Sequence, residues 1–278
     1  MAARFEDLDF LIVGAAKCAT TWLQQALQAD PAVRMPDPEL HYFSREHARG
    51  SAWYLQRLPD KENAQLLGEK SNSYMDAPAC AERIRTATPH VRLIAVLRDP
   101  VERAYSDYCM LYRRGEVDRD IRRHLDPGRA AEGRFIASGR YAERLEPFLR
   151  LFPRDRILVL LYESLKADPA GELARVRAFL ELPARSPALV KTERVKDRTV
   201  PVVPPRMRRS LEPLKPIVRP LRGRRLFEQA RGLVAREVTY PALDADLRAK
   251  LAAHYRPDTM RLISLVGCDP SKWSSVQA

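Results

Sequence analysis

Residues 8–23 read LDFLIVGAAKCATTWL, and their reading decides the fold. An apolar run, LDFLIVG (8–14), leads into small residues around one lysine, and Thr20-Thr21 then open a helical pattern. A run this short and this rich in Leu, Ile and Val suits a strand covered on both faces of a parallel sheet. Backbone N–H groups gather at the turn between such a strand and the next helix, where they attract anions. Ala15, Ala16 and Ala19 keep the approach clear, Lys17 adds a full positive charge, and Thr20 and Thr21 add hydroxyl donors. The turn is not the common phosphate loop, G-x-x-x-x-G-K-[ST], which needs a glycine directly before its lysine. Here Ala16 stands before Lys17.

Three further apolar runs read as buried strands: LLGEK (66–70), VRLIAVL (91–97) and RILVLLY (156–162). Helical patterns lie between and after them. One covers 20–29 with Thr20 as N-cap. Another covers 76–87 from Asp76. A third, 100–113, follows Asp99-Pro100, a cap with proline in the first turn. The pattern at 141–151 carries Leu145, Phe148, Leu149 and Phe152 on one stripe, 168–181 opens at Asp168-Pro169, and 243–265 closes the chain. Alternating strands and helices predict a doubly wound α/β fold: a P-loop-like parallel β-sheet flanked by helices on both faces. The 278 residues suit one domain, 1–278, with an irregular, basic, proline-rich excursion at about 190–236. Residues 201–220 hold six prolines, and Arg206–Arg236 holds ten Lys/Arg against two Glu.

The chain carries 48 Lys+Arg against 36 Asp+Glu, a net charge of +12. Such an excess favours anionic partners: a nucleotide, a sulfated or phosphorylated glycan, nucleic acid or a membrane surface. Cys18, Cys80, Cys109 and Cys268 are scattered without a C-x-x-C pair, which argues against a zinc site or a disulfide framework. With no signal-peptide pattern at the N-terminus and no apolar run of roughly 18 residues, a reduced, cytoplasmic setting is expected.

Three other stretches carry candidate chemistry. In LRDPVERAYSDY (97–108), Arg98 closes a strand and Ser106 lies two helical turns on, so both can converge on one phosphate beside the strand end. The competing reading is an Arg98–Asp99 surface pair with a helix-capping aspartate. In PELHYFS (38–44), Glu39 and His41 share a face of an extended segment, and either could be a general base. In GEKSNSYM (68–75), Lys70 ends a strand on the edge where open α/β sheets bind ligands.

Taken in order, these stretches resemble the sulfotransferases that use 3′-phosphoadenosine 5′-phosphosulfate (PAPS), in the heparan-sulfate-type branch and its bacterial relatives. GAAKCATTWL is similar to that family's phosphosulfate loop, G-x-x-K-[SCG]-G-T-[ST]-x-L. PELHYFS is similar to its K-E-x-H-F-F segment, GEKSNSYM to its E-K-[ST]-P-x-Y element, and LIAVLRDPVERAYSDY to its 3′-phosphate element. The likeness covers 8–182 and 237–273. It implies a sulfuryl transfer from PAPS to a hydroxyl of a carbohydrate or another small acceptor, in line and without a metal. Lys17, Thr20 and Thr21, within the loop that includes Cys18 and Ala19, would hold the phosphosulfate. Arg98 and Ser106 would hold the 3′-phosphate, with Trp22 near the adenine. Glu39 would be the base, and Lys17 and Lys70 would serve the transferring group.

The family's loop glycine is Ala19 here, which alanine can replace only where the backbone does not need positive φ. The family's Lys-Gly-Arg clamp is also missing. Arg222-Gly223-Arg224 and Lys196-Asp197-Arg198 are its candidate replacements. The basic stretch 206–236 would grip an anionic glycan, rest on a membrane bearing a glycolipid acceptor, or form a charged lid with no binding role. Two other functions compete: a P-loop-type small-molecule kinase, against which the lysine position argues, and a non-catalytic nucleotide- or nucleic-acid-binding protein. Nucleic acid is not expected as a partner, because Phe227 alone interrupts the basic run with an aromatic ring.

Overall fold

Among the described residues, five strands lie in one all-parallel sheet: β1 Leu8–Gly14, β2 Val33–Arg34, β3 Leu66–Lys70, β4 Arg92–Leu97 and β5 Ile157–Leu161. Their order across the sheet is β2-β3-β1-β4-β5. The computed structural model describes residues 3–61, 64–183 and 237–277. The basic stretch 206–236 and both candidate replacements for the clamp lie outside the described residues.

The central strands form where apolar residues predominate. Leu93 to Leu97 are all buried, as are Phe10 to Val13, so both faces of the central strands are covered. Each fully buried Leu, Ile or Phe contributes about 1.5–3 kcal/mol. β1 and β3 approach closely because Gly68 faces Phe10 across the pair. A Cβ at Gly68 would stand 2.1 Å from the Phe10 ring.

Among the described residues the α-helices are α1 Thr20–Gln28, α2 Gly50–Leu55, α3 Cys80–Ala87, α4 Pro100–Arg114, α5 Ile121–Leu125, α6 Pro127–Ala130, α7 Arg134–Ala137, α8 Tyr141–Leu151, α9 Tyr162–Ala167 and α10 Pro169–Phe179, then a long C-terminal helix, Ala245–Val266, and a short last turn, Ser274–Gln277. Asp99 caps α4 as expected, accepting the Val101 N–H at 2.9 Å. Asp168 likewise caps α10 through Gly171 N.

Four local expectations differ from the structure. Thr20 does not cap α1: the cap position is Ala19, and no side chain fills it. The pattern from Asp76 yields a helix only from Cys80, after a run of turns. Tyr162 starts α9 instead of ending β5. The segment around Glu39 is not extended, because His41 adopts φ 53°. Around Asp76 and Glu39 a turn satisfies backbone groups that the periodic pattern assigns to a regular element.

β1 lies between strands reached in opposite directions, with β3 on one side and β4 on the other. This is the switch point at which an open α/β sheet leaves a crevice beyond its strand ends. The segments that follow the three strands are tied together there. Ala15 N–H donates to Val96 O at 2.8 Å and Ser71 N–H donates to Ile12 O at 3.1 Å.

Candidate active site

The crevice is built on the turn between β1 and α1. Lys17 and Ala19 both lie in the left-handed region, at φ 72° and φ 67°, with Cys18 between them outside it. Alternation of this kind turns successive N–H groups towards one concave side. The first N–H groups of α1 add to it, because Ala19 places no side chain over them. A turn with N–H donors and a lysine, and with Thr20 and Thr21 opening the helix beside it, fits an anion.

The sequence expectation for Ala19 is thereby corrected: alanine occupies a position that does need positive φ. Left-handed backbone costs a residue bearing a Cβ about 1–2 kcal/mol. Ala19→Gly is therefore expected to raise the unfolding free energy by about 1 kcal/mol, net of the larger chain entropy of glycine. Urea denaturation checks this, and an unchanged or lower midpoint would show that Ala19 carries no strain.

Cys18 enters the site only through its backbone. Its side chain is fully buried, with Sγ 3.8 Å from Tyr141 Oη. Burial pushes its thiol up to about 12, so it is not the activated thiol that a place beside Lys17 at a helix start would allow. Trp22, in α1, is half-buried and packs on the apolar core.

A second cluster gathers at the end of β3. Lys70, 2% exposed, places Nζ 2.6 Å from Glu39 Oε1. A buried ion pair of this kind contributes little to stability once desolvation is counted, so it points to a chemical task. Asn72 completes the grip on the carboxylate: its Nδ2 donates to Glu39 Oε1 at 3.1 Å and its backbone N–H donates to Oε2 at 3.0 Å. Its Oδ1 accepts from Thr20 Oγ1 at 3.0 Å, which joins this cluster to the anion turn.

His41 sits beside the carboxylate, Nε2 lying 3.8 Å from Glu39 Oε2. The two meet through a turn, held where His41 N–H donates to Ser71 Oγ at 2.8 Å. Burial, then the Arg45 guanidinium, hold the imidazole below its ordinary pKa, which keeps it neutral at pH 7. Its Nδ1 is 2.8 Å from Ser73 Oγ. Behind the pair lies Glu69, fully buried, accepting from Ser71 Oγ at 2.5 Å and pushed by burial up to about 7.

On the opposite side, Arg98 follows directly after β4. Its guanidinium stacks 4.7 Å from the Tyr162 ring centre, stands 3.5 Å from Glu102 Oε2 and donates to Lys17 O at 3.4 Å. Tyr141 Oη donates to Arg98 O at 2.9 Å and fixes the strand end. Of the competing reading the helix-capping aspartate holds, but the surface pair does not: Asp99 is buried, and Arg98 pairs with Glu102 instead. Glu102 is shared with Arg248 of the C-terminal helix at 2.7 Å, so two guanidinium groups surround one carboxylate and leave a net positive charge. Ser106 is half-buried on α4. Lys17 Nζ lies 3.5 Å from Met110 Sδ, one turn beyond Ser106 on α4.

The structure thus brings Lys17, Thr20, Glu39, Lys70 and Arg98 to one end of the sheet. Sequence reasoning missed Asn72, Tyr141, Tyr162 and Arg248. Tyr162 carried a signal, since it ends the apolar run RILVLLY at the ligand-binding edge. Asn72 carried one too, as a polar residue just beyond a strand end.

Comparison with known proteins agrees with this geometry. The sulfotransferase domain model matches residues 7–199. The heparan sulfate glucosamine 3-O-sulfotransferase 3B1 of Mus musculus is 37% identical over 177 residues, covering 62% of this chain and 45% of the relative. The 3-O-sulfotransferase 6 of Homo sapiens is 38% identical over 177 residues, covering 62% and 52%. The chain therefore spans about half the length of the curated relatives it matches. Among solved structures, a sulfotransferase from Alicyclobacillus acidocaldarius superposes with a TM-score of 0.69 at 25% identity, over 96% of this chain and 98% of the other. A match that spans both the anion turn and the Glu39–Lys70 cluster leaves one conclusion: the chain belongs to the sulfotransferase domain family.

Proposed function

We propose that this protein transfers a sulfuryl group from PAPS to a hydroxyl group of a carbohydrate or another small acceptor, with Glu39 as general base. The observation that carries the reading is the meeting of a buried lysine and a carboxylate, Lys70 and Glu39 at 2.6 Å, joined through Asn72 to the anion turn.

The residues present fit PAPS. One end of the crevice offers N–H groups, Lys17 and the threonine hydroxyls for a 5′-phosphosulfate, and the other offers Arg98 for a 3′-phosphate. When bound, PAPS supplies the sulfuryl group and a phosphate as leaving group. Glu39 Oε2 accepts only the Asn72 N–H among the described hydrogen bonds, so it is the oxygen with room for the acceptor's proton. Lys70 orients the carboxylate through Oε1. Lys17 stands ready to offset charge developing on the leaving phosphate. His41, neutral, borders the base and adds no charge. The relatives' names supply the acceptor class: two of them are heparan sulfate glucosamine sulfotransferases.

The test is calorimetric titration with adenosine 3′,5′-bisphosphate, with ATP as control. Binding is expected for the bisphosphate and not for ATP. Arg98→Ala should weaken it by about 10- to 100-fold, the worth of a charge-assisted hydrogen bond. Equal binding of ATP, or an Arg98→Ala variant that binds as well as wild type, would refute the 3′-phosphate site.

A further inference from the structure

Asn72 occupies a position at which the family element resembled by GEKSNSYM carries proline. Proline has neither the backbone N–H nor the side-chain amide that Asn72 directs at Glu39. Both contacts therefore depend on asparagine standing in place of that proline, and the amide has a further partner in Thr20.

The chemistry of the partners orients the amide. An ionised Glu39 carboxylate only accepts, so the Nδ2 end of Asn72 must face it. Oδ1 then faces Thr20, and a carbonyl oxygen cannot donate. Thr20 has a single hydroxyl hydrogen, and it is committed to Asn72. Thr20 also opens α1 at the anion turn, where that same hydrogen would serve a 5′-phosphate.

We propose that Asn72 is a positioning residue that couples the donor turn to the base: an anion entering the turn draws the Thr20 hydrogen away from Asn72, while Asn72 holds Glu39 in line with the acceptor. Occupation of the donor site thereby releases one of the two tethers on the Asn72 side chain. The amide keeps its hold on Glu39 Oε1, and the backbone N–H keeps its hold on Oε2. Two opposing effects follow from one residue. Asn72 competes with the donor for Thr20, and it supports the base once the donor is in place. The inference rests on Glu39 being the general base.

The coupling predicts a signature that simple loss of structure would not produce. In Asn72→Ala, adenosine 3′,5′-bisphosphate should bind about 2- to 10-fold more tightly, because Thr20 no longer surrenders a hydrogen bond to receive it. Turnover, measured as transfer of labelled sulfate from PAPS to heparan sulfate, should fall about 10-fold in kcat, while the KM for PAPS falls by about the same 2- to 10-fold factor as the bisphosphate Kd, because PAPS draws on the same Thr20 hydrogen. Asn72→Asp keeps an acceptor for Thr20 and places a second carboxylate beside Glu39. It should lose turnover without any gain in bisphosphate affinity. Unchanged or weaker bisphosphate binding in Asn72→Ala would overturn the coupling, since damage to the site weakens both readings together. A gain in affinity equal in the Ala and Asp variants would overturn it as well.

Glu39→Gln separates this inference from the reading beneath it. If Glu39→Gln is inactive while Asn72→Ala matches wild type in binding and turnover, only the coupling is wrong. If Glu39→Gln turns over normally, the base assignment fails and the coupling fails with it. The bisphosphate titration needs no acceptor, so it decides the Thr20 half of the coupling even if heparan sulfate is not sulfated.

Discussion

Glu39→Gln is expected to lower kcat by about 10²- to 10⁴-fold, the usual contribution of a positioned general base. The substitution keeps the shape of the side chain and a carbonyl oxygen for Lys70, so the fold and donor binding should survive. Bisphosphate affinity within about twofold of wild type in a variant that remains folded would place the loss in the proton acceptor; a lowered melting temperature is expected, because Lys70 stays buried without its carboxylate. The alternative base, His41, predicts the opposite: its imidazole is neutral and could take a proton without Glu39. Near-normal turnover in Glu39→Gln, with loss in His41→Ala, would transfer the role to the histidine.

Lys17→Ala is expected to be almost as damaging, about 10²- to 10³-fold in kcat, the range found when a charge-stabilising donor is removed. The physical case rests on where the side chain sits. The Lys17 backbone lies at φ 72°, which costs alanine no more than lysine, so the turn keeps its shape in the variant. What disappears is the one full positive charge carried within the turn itself. Bisphosphate binding should weaken as well, because the 5′-phosphate loses a cation while Arg98 retains the other end. If turnover stays within a few-fold of wild type, the developing charge must be met elsewhere, and Lys70 would be the first group to examine.

The anion turn, the strand ends and the long α4 were legible from local pattern. LDFLIVG and VRLIAVL name buried strands because a short, mostly apolar run is best satisfied inside a covered sheet. Asp99-Pro100 names a helix start because the side chain and the fixed φ each suit one backbone position. Thr20 misled for a related reason. Its hydroxyl is a good cap in isolation, but in the folded chain it is spent on Asn72, and the left-handed Ala19 takes the cap position. Glu39 and His41 misled in the same way: alternation predicts a shared face of a strand, whereas His41 turns the chain and the two meet across that turn.

By itself the sequence determined the doubly wound α/β class, the order of the anion turn and strand ends along the chain, and the residue types gathered there. These properties depend on hydrophobic period and on cap and turn chemistry, which act over a few neighbouring residues. Only the tertiary structure decided which groups touch. Lys70 is 31 residues from Glu39, Asn72 is 52 from Thr20 and Arg98 is 81 from Lys17. Contacts at such separations follow from strand order and register: β1 placed between β3 and β4 sets three distant strand ends side by side. No local period encodes that adjacency, and for that reason Asn72 and the buried side chain of Cys18 came to light only in the folded molecule.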